Sequence, residues 1–192
     1  DLSAVRHVAV VGNGNVALDV ARLLAKSADE MAKSDIVPEA AAAIAAAPLT
    51  DIHVIGRRGP EHASFTSNEL GEMGRLARAV SVADAEGLDV VPPASDPTPE
   101  RLRKAKNIAI LKGFADNQAG SKSVTVRFHF GSAPIAIRPG ELELTTGTLP
   151  VDLIVTCIGY TGDGYPKGEG VFAVGWARRG PTGTIPTNRA DS

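Results

Sequence analysis

Two kinds of apolar pattern alternate along the chain, and they predict different elements. A β-branched run from Val5 to Val11 ends in Gly12-Asn13-Gly14-Asn15, after which Val16, Val20, Leu23 and Leu24 recur at helical spacing. This predicts a buried strand, a tight turn and an apolar-faced helix near residues 15–28. Pro38-Glu39 ahead of an alanine tract to Ala47 predicts a second helix, because proline suits a first turn and alanine is the strongest helix former. Asp51-Ile52-His53-Val54-Ile55-Gly56 predicts the next strand. Thr66 and Glu69 stand at capping-box spacing, so a helix is expected from Ser67 to about residue 79. Val80–Val82 and Leu88–Val91 predict a short strand, Pro92–Pro99 a turn-rich connector and Glu100–Lys106 a short basic helix.

Past residue 107 the pattern shortens. Ile108–Phe114, Ser123–Phe130, Ala133–Ile137 and Glu141–Thr145 predict close-spaced strands in an antiparallel meander at about 107–146. Val124, Val126, Phe128 and Phe130 alternate with Thr125, Arg127 and His129, which predicts one buried and one wet face. Val151–Ile158 and Val171–Gly175 are continuous apolar runs of the kind found inside parallel sheets. The expected class is α/β, a parallel sheet with helices plus an antiparallel β insertion, without internal repeats.

Composition narrows the function. At 192 residues the chain suits one domain, or one domain and part of another. A net charge of −2 supplies no basic field for nucleic acid. No apolar stretch reaches membrane-spanning length and no signal peptide precedes the first strand, so no membrane partner is expected. Cys157 is the only cysteine, which excludes an internal disulfide and a Cys-x-x-Cys pair and makes a reducing, cytoplasmic setting the expectation. Buried in a strand, it reads as a small hydrophobe. His7, His53, His62 and His129 lack ligand spacing, so no metal is expected. The chain starts at Asp1 and stops at Ser192 in mid-phrase, as an excised piece of a longer protein would.

The chemistry concentrates where the first two strands end. Glycines after a strand allow a tight turn and let backbone amides approach a pyrophosphate, whose charge rests against the helix N-terminus. The alternative is a turn that needs small residues only for packing. At the end of the second strand a dinucleotide fold that selects NAD carries an acid for the ribose 2′-hydroxyl, whereas arginine accommodates a 2′-phosphate. Gly56 takes the acid's place here and Arg57-Arg58 follow, so NADP is the expected dinucleotide. Two guanidiniums can fork around a phosphate, although arginines in a loop also serve as solvated charges. His62 stands close enough in sequence to reach the phosphate, but a solvated loop histidine is the simpler reading.

Gly12 to Arg22, Ile55-Gly56-Arg57-Arg58-Gly59-Pro60 with Phe65-Thr66 and Glu69-Leu70, then Gly175-Trp176 with Arg179-Gly180-Pro181-Thr182-Gly183, resemble the NADP-binding half of the adrenodoxin reductase family. That family includes bacterial ferredoxin-NADP reductases built on the glutathione-reductase plan. The resemblance implies a Rossmann-like three-layer domain over residues 1–160 and a carboxy-terminal segment, 161–192, returning to an FAD domain. It implies that Asn13, Gly14, Asn15 and Val16, with Gly12 in the turn, line the cofactor, that Arg57 and Arg58 hold the 2′-phosphate and that Glu69 contacts NADP(H). Glu69 is otherwise explained by its cap with Thr66, and Trp176 by packing. Trp176, Gly183, Thr184 and Ile185 would lie against the flavin.

The implied reaction is hydride transfer from NADPH to FAD, then single-electron delivery to a ferredoxin-type iron–sulfur protein. Such chemistry belongs to the cofactors, so no catalytic acid or base is assigned. The family's amino-terminal FAD fingerprint is absent from these residues, and the 160–170 link is shorter than the family's. Two other readings share the fold: a non-catalytic NADP-binding module and an electron-input subunit resembling the glutamate synthase small subunit. Thioredoxin reductase is excluded for want of a second cysteine.

Overall fold

The apolar run after Val5 forms β1 (His7–Val11), and the glycine turn delivers it into α1 (Asn15–Ala25). Then come α2 (Ala28–Met31), α3 (Pro38–Ala46), β2 (Asp51–Ile55), a 3-10 turn (Pro60–His62), α4 (Ser67–Met73), β3 (Ala79–Ala83) and α5 (Thr98–Ala115). The remaining elements are β4 (Val124–His129), β5 (Pro134–Arg138), β6 (Glu141–Leu144), β7 (Gly147–Pro150), β8 (Leu153–Thr156) and α6 (Trp176–Arg179). This computed structural model describes residues 1–159, 168–180 and 189. The chain divides into two compact units, Asp1–Cys157 and Ile158–Ser192.

In the first unit five strands form a wholly parallel sheet in the order β3-β4-β2-β1-β8. Its two faces have different partners. Val8 and Val10 of β1 and Ile52 and Val54 of β2 join Leu18, Phe65, Leu70, Leu111 and Phe128 in the main core, beneath the helices. Ala9 and Ile55, pointing the other way, meet Leu142, Leu144 and Val151 under the antiparallel sheet β5-β6-β7. Helices, parallel sheet and antiparallel sheet are therefore the three layers, and the β insertion replaces a helix as the covered crossover from β4 to β8. Of the second unit, the described part has a turn at residues 169–170, a stretch without regular structure over 171–174 and the single turn of α6.

Five expected elements take other forms. Ile108–Phe114 is not a strand but the second half of α5, which absorbs the basic segment before it. Lys104, Asn107, Ile108, Leu111 and Phe114 are its buried residues, the recurrence at three and four of a single helix face. Ser123–Phe130 supplies β4, parallel and central between β2 and β3, so the meander is confined to β5–β7. Helix α4 ends at Met73, with Gly74 as its C-cap, well short of residue 79. Neither Leu88–Val91 nor Val171–Gly175 forms a strand.

Candidate nucleotide site

All five parallel strands end on one edge of the sheet, and the loops leaving β1 and β2 meet there. Gly12 sits at φ +147°, and a Cβ on it would lie 2.3 Å from the Cys157 carbonyl oxygen. Its N–H donates to Ile55 O at 2.9 Å, while the Cys157 N–H donates to Val11 O at 2.7 Å, so the turn is stitched to both neighbouring strands. Here the packing alternative holds: Gly12 is required by the protein itself. Gly14 is different. It is the extended N-cap of α1, at φ −121°, and the nearest atom to an added Cβ is the rotatable Ser64 hydroxyl at 3.2 Å. Protein packing leaves room for a small side chain at Gly14 once the Ser64 hydroxyl gives way, so the fold itself does not require glycine there. Helix α1 also begins with no side-chain cap and no acid in its first turn, which leaves its positive end to an outside anion.

The β2–α4 loop folds across this turn. Ser64 donates to Asn13 O through its N–H at 2.8 Å and its hydroxyl at 3.0 Å, and the Thr66 N–H donates to Asn15 Oδ1 at 2.8 Å. Phe65 between them is fully buried, and its carbonyl accepts from Arg103 Nη1 at 2.7 Å and Asn107 Nδ2 at 2.9 Å, both on α5. Arg103 and Asn107 thus fix the loop from behind, a role visible only once residues 98–115 are one helix.

The segment carrying the arginines is braced on its other side. The Gly56 N–H donates to His129 O at 2.8 Å, the Ser132 N–H to Gly56 O at 2.9 Å and the Gly131 N–H to Arg58 O at 3.0 Å. On this pinned backbone Arg57 and Arg58 are exposed, and neither enters an ion pair among the described residues. Val16 is 54% exposed at the mouth of the turn. His62 pairs with Glu61 at 3.3 Å.

Glu69 belongs to a charged cluster on the helix faces. Its N–H donates to Thr66 Oγ1 at 3.4 Å, and its carboxylate lies 2.7 Å from Arg22 Nη1. Arg22 also pairs with Glu72 and, at 2.6 Å, with Asp19. Burial raises the Asp19 pKa above the ordinary carboxylate value, Arg22 works against the rise, and the Glu69 and Glu72 charges add to it. Only half of the predicted capping box forms, because the Glu69 carboxylate turns to Arg22 instead. Trp176 opens α6 in the second unit and is 42% exposed; Gly183, Thr184 and Ile185 lie outside the described residues.

No protein-family model matches the chain. The NADPH-ferredoxin reductase FprA of Mycobacterium tuberculosis is 33% identical over 234 residues, covering 100% of this chain and 51% of the relative. Cindoxin reductase of Citrobacter braakii is 33% identical over 95% of this chain and 45% of its own length. Mitochondrial NADPH:adrenodoxin oxidoreductase of Drosophila melanogaster is 32% identical over 97% of this chain and 48% of its own length. The solved structure of FprA in complex with NADPH matches with a TM-score of 0.83 and 31% identity, over 100% of this chain and 51% of that one. The chain is homologous to these reductases. It spans about half the length of the curated relatives it matches. The fold expected from the sequence, a parallel sheet with helices and an antiparallel insertion, is the one this reductase fold carries. Among the described residues no helix is long and apolar enough to cross a membrane, and no group of three or more His, Cys, Asp or Glu side chains is placed to hold a metal.

One polar pair, on β2 and β4 of this reductase homologue, carries no motif that spacing alone would single out. His53 Nδ1 and His129 Nε2, on adjacent strands, are 2.9 Å apart with the rings stacked at 5.1 Å. Burial first, and the neighbouring His129 second, push the His53 pKa down to about 4; burial likewise lowers His129. The sign of the linkage follows. Below the unfolded value of 6.5 the unfolded chain takes up a proton that the native chain refuses, so stability is complete above that pH and falls as the pH drops toward about 4. A loss of about 2–3 kcal/mol across this window is expected in urea titrations, and His53→Gln should flatten it. An unchanged pH slope in that variant would show that the pair is not the titrating element.

Proposed function

We propose that this chain is the NADPH-binding half of a flavoprotein ferredoxin-NADP reductase. The observation that carries the reading is a conjunction at one sheet edge. Gly14 is left open by the protein at an uncapped helix N-terminus, and Arg57 and Arg58 enter no ion pair among the described residues, on a loop fixed by backbone hydrogen bonds. The first suits a pyrophosphate and the second a 2′-phosphate. The whole-length likeness to a reductase whose structure holds NADPH supports the same assignment.

The residues present fit NADP(H), and their tasks are binding and orientation. The turn from Gly12 to Val16 receives the pyrophosphate, Arg57 and Arg58 the 2′-phosphate, and Glu69, held by Arg22, lies along the cofactor's path. Trp176, Gly183, Thr184 and Ile185 are the residues we assign to the flavin side, in the segment 161–192 that would return to an FAD domain. With both cofactors bound, the chemistry supplied there would be transfer of two electrons as hydride from NADPH to the flavin, for single-electron delivery to an iron–sulfur protein. No side chain of this chain is assigned as acid or base, since the protein's work here is positioning and exclusion of water. A soluble ferredoxin-type partner and a cytoplasmic setting complete the proposal.

Residues 1–192 alone are expected to bind NADP(H) in a calorimetric titration, to purify colourless and to reduce no ferredoxin. Yellow colour and NADPH-dependent turnover should return together when a complementary FAD domain from a homologous reductase is added. Flavin bound to residues 1–192 alone, or turnover without the added domain, would overturn the division of labour.

A further inference from the structure

Glycine in a strand-to-helix turn leaves the volume of its missing side chain to the pyrophosphate, and at Gly14 one polar side chain borders that volume. Apart from the chain neighbours of Gly14, Ser64 Oγ is the only heavy atom among the described residues within 4 Å of the Cβ position, at 3.2 Å. A phosphate oxygen entering the space comes within hydrogen-bond reach of it. Burial alternates along this loop: Ala63 and Phe65 are buried, while Ser64 between them is exposed. Arg103 and Asn107 hold Phe65 O from α5, so Ser64 is presented on a fixed backbone. Its hydroxyl donates to Asn13 O at 3.0 Å, a carbonyl that the Ser64 N–H already serves at 2.8 Å. A hydroxyl carries one proton, so this bond and one to a phosphate exclude each other. Turning away costs a single neutral hydrogen bond and orphans nothing. The turn has other supports, because the Thr66 N–H donates to Asn15 Oδ1 and the Asn13 carboxamide fills the space that a Cβ on Gly56 would need.

We propose that Ser64 is a pyrophosphate ligand of this site, its hydroxyl turning from Asn13 O to a phosphate oxygen of the dinucleotide. The inference rests on the NADP reading and adds to it a donor from outside the glycine turn. A hydrogen bond to an ionised acceptor is shorter and about twice as strong as a neutral one, so the hydroxyl gains by the exchange. The N-terminus of α1 offers backbone amides to the pyrophosphate, and the β2–α4 loop adds a side chain that can rotate to meet it. Pyrophosphate is common to NADP and NAD. Ser64 therefore contributes affinity without discrimination, whereas Arg57 and Arg58 contribute discrimination, and the two parts of the site are separable.

The test compares NADP with adenosine 2′-monophosphate, which keeps the 2′-phosphate but has no pyrophosphate, by calorimetry on the wild-type chain, Ser64→Ala, Ser64→Thr and Arg57→Ala, with a thermal melt of each. Ser64→Ala should weaken NADP about tenfold and leave adenosine 2′-monophosphate within about twofold of the wild type. Ser64→Thr, which keeps the hydroxyl, should hold NADP within about threefold. Arg57→Ala should weaken both ligands. In phosphorus NMR of bound NADP, Ser64→Ala should move the pyrophosphate signals and leave the 2′-phosphate signal in place. A hydroxyl that stayed on Asn13 O would stabilise the free and the bound chain alike, and its loss would lower the melting temperature without changing affinity. NADP affinity kept in Ser64→Ala, unmoved pyrophosphate signals, or an equal loss for adenosine 2′-monophosphate overturns this inference and leaves the NADP reading standing. If neither ligand binds the wild type, the NADP reading falls and this inference with it.

Discussion

Gly14→Val is expected to abolish measurable NADP(H) binding, a loss of more than about a hundredfold, while the chain stays folded. The asymmetry comes from what surrounds the position. Its backbone is extended, at φ −121°, a conformation valine adopts freely, and the only heavy atom an added Cβ would crowd is the Ser64 hydroxyl, which can turn aside by giving up its hydrogen bond to Asn13 O while the Ser64 N–H keeps its own. Replacing glycine at an N-cap by a β-branched residue costs about 1 kcal/mol, too little to unfold a domain of this size. The same side chain stands where backbone amides must meet a pyrophosphate at hydrogen-bond distance. Circular dichroism and a thermal melt beside a calorimetric titration separate the two effects. Normal NADP affinity in the folded variant would place the dinucleotide site elsewhere.

Removing the arginines should change which nucleotide is preferred rather than whether one binds. Arg57→Ala or Arg58→Ala is expected to weaken NADP(H) about tenfold to a hundredfold, because each hydrogen bond between charged groups contributes roughly 1.5–3 kcal/mol. NAD(H), which lacks the 2′-phosphate, should change little. The double variant should lose most of the discrimination, and the remaining NADP affinity should become less sensitive to salt. Both side chains are exposed and outside the core, so the fold offers no competing explanation through lost packing. Equal losses for the two nucleotides would reduce Arg57 and Arg58 to solvated loop charges.

The parts of this molecule that could be read from the sequence are those whose physics is local. β1, the glycine turn, α1, the proline-started α3 and β2 follow from periodicity and from the stereochemistry of glycine and proline over short windows. Ile108–Phe114 misleads because a short apolar run suits a strand or a buried helix equally, and the Lys104-Asn107-Ile108-Leu111 recurrence across the supposed boundary was the signal for the helix. The alternation in residues 124–130 suggested a wet face. In a central strand that face is instead covered by polar contacts, Arg127 Nε to Asp51 at 2.9 Å and His129 to His53, which depend on register. Of the candidate site, the strand-to-helix turn at Gly12–Gly14 and the loop position of Arg57-Arg58 after β2 could be placed from the sequence. The tie from Asn13 to Gly56 could not, because it joins two loops that are distant in sequence and meet only when β1 lies beside β2.

Four segments, 12–15, 56–58, 64–66 and 129–132, form two hydrogen-bonded pairs, 12–15 with 64–66 and 56–58 with 129–132, and the pairs meet where Asn13 packs against Gly56. For recombination between homologues, this makes the cradle a single heritable block scattered over most of the first unit. A crossover between residues 16 and 50 would pair one parent's Asn13 with the other's residue 56, and one between 84 and 97 would part the arginine loop from its brace. Chimeras cut there should lose nucleotide discrimination even when every motif is present. Exchanging β5 to β7 alone leaves all four segments with a single parent, so new surface can be tried in that sheet without disturbing the cradle.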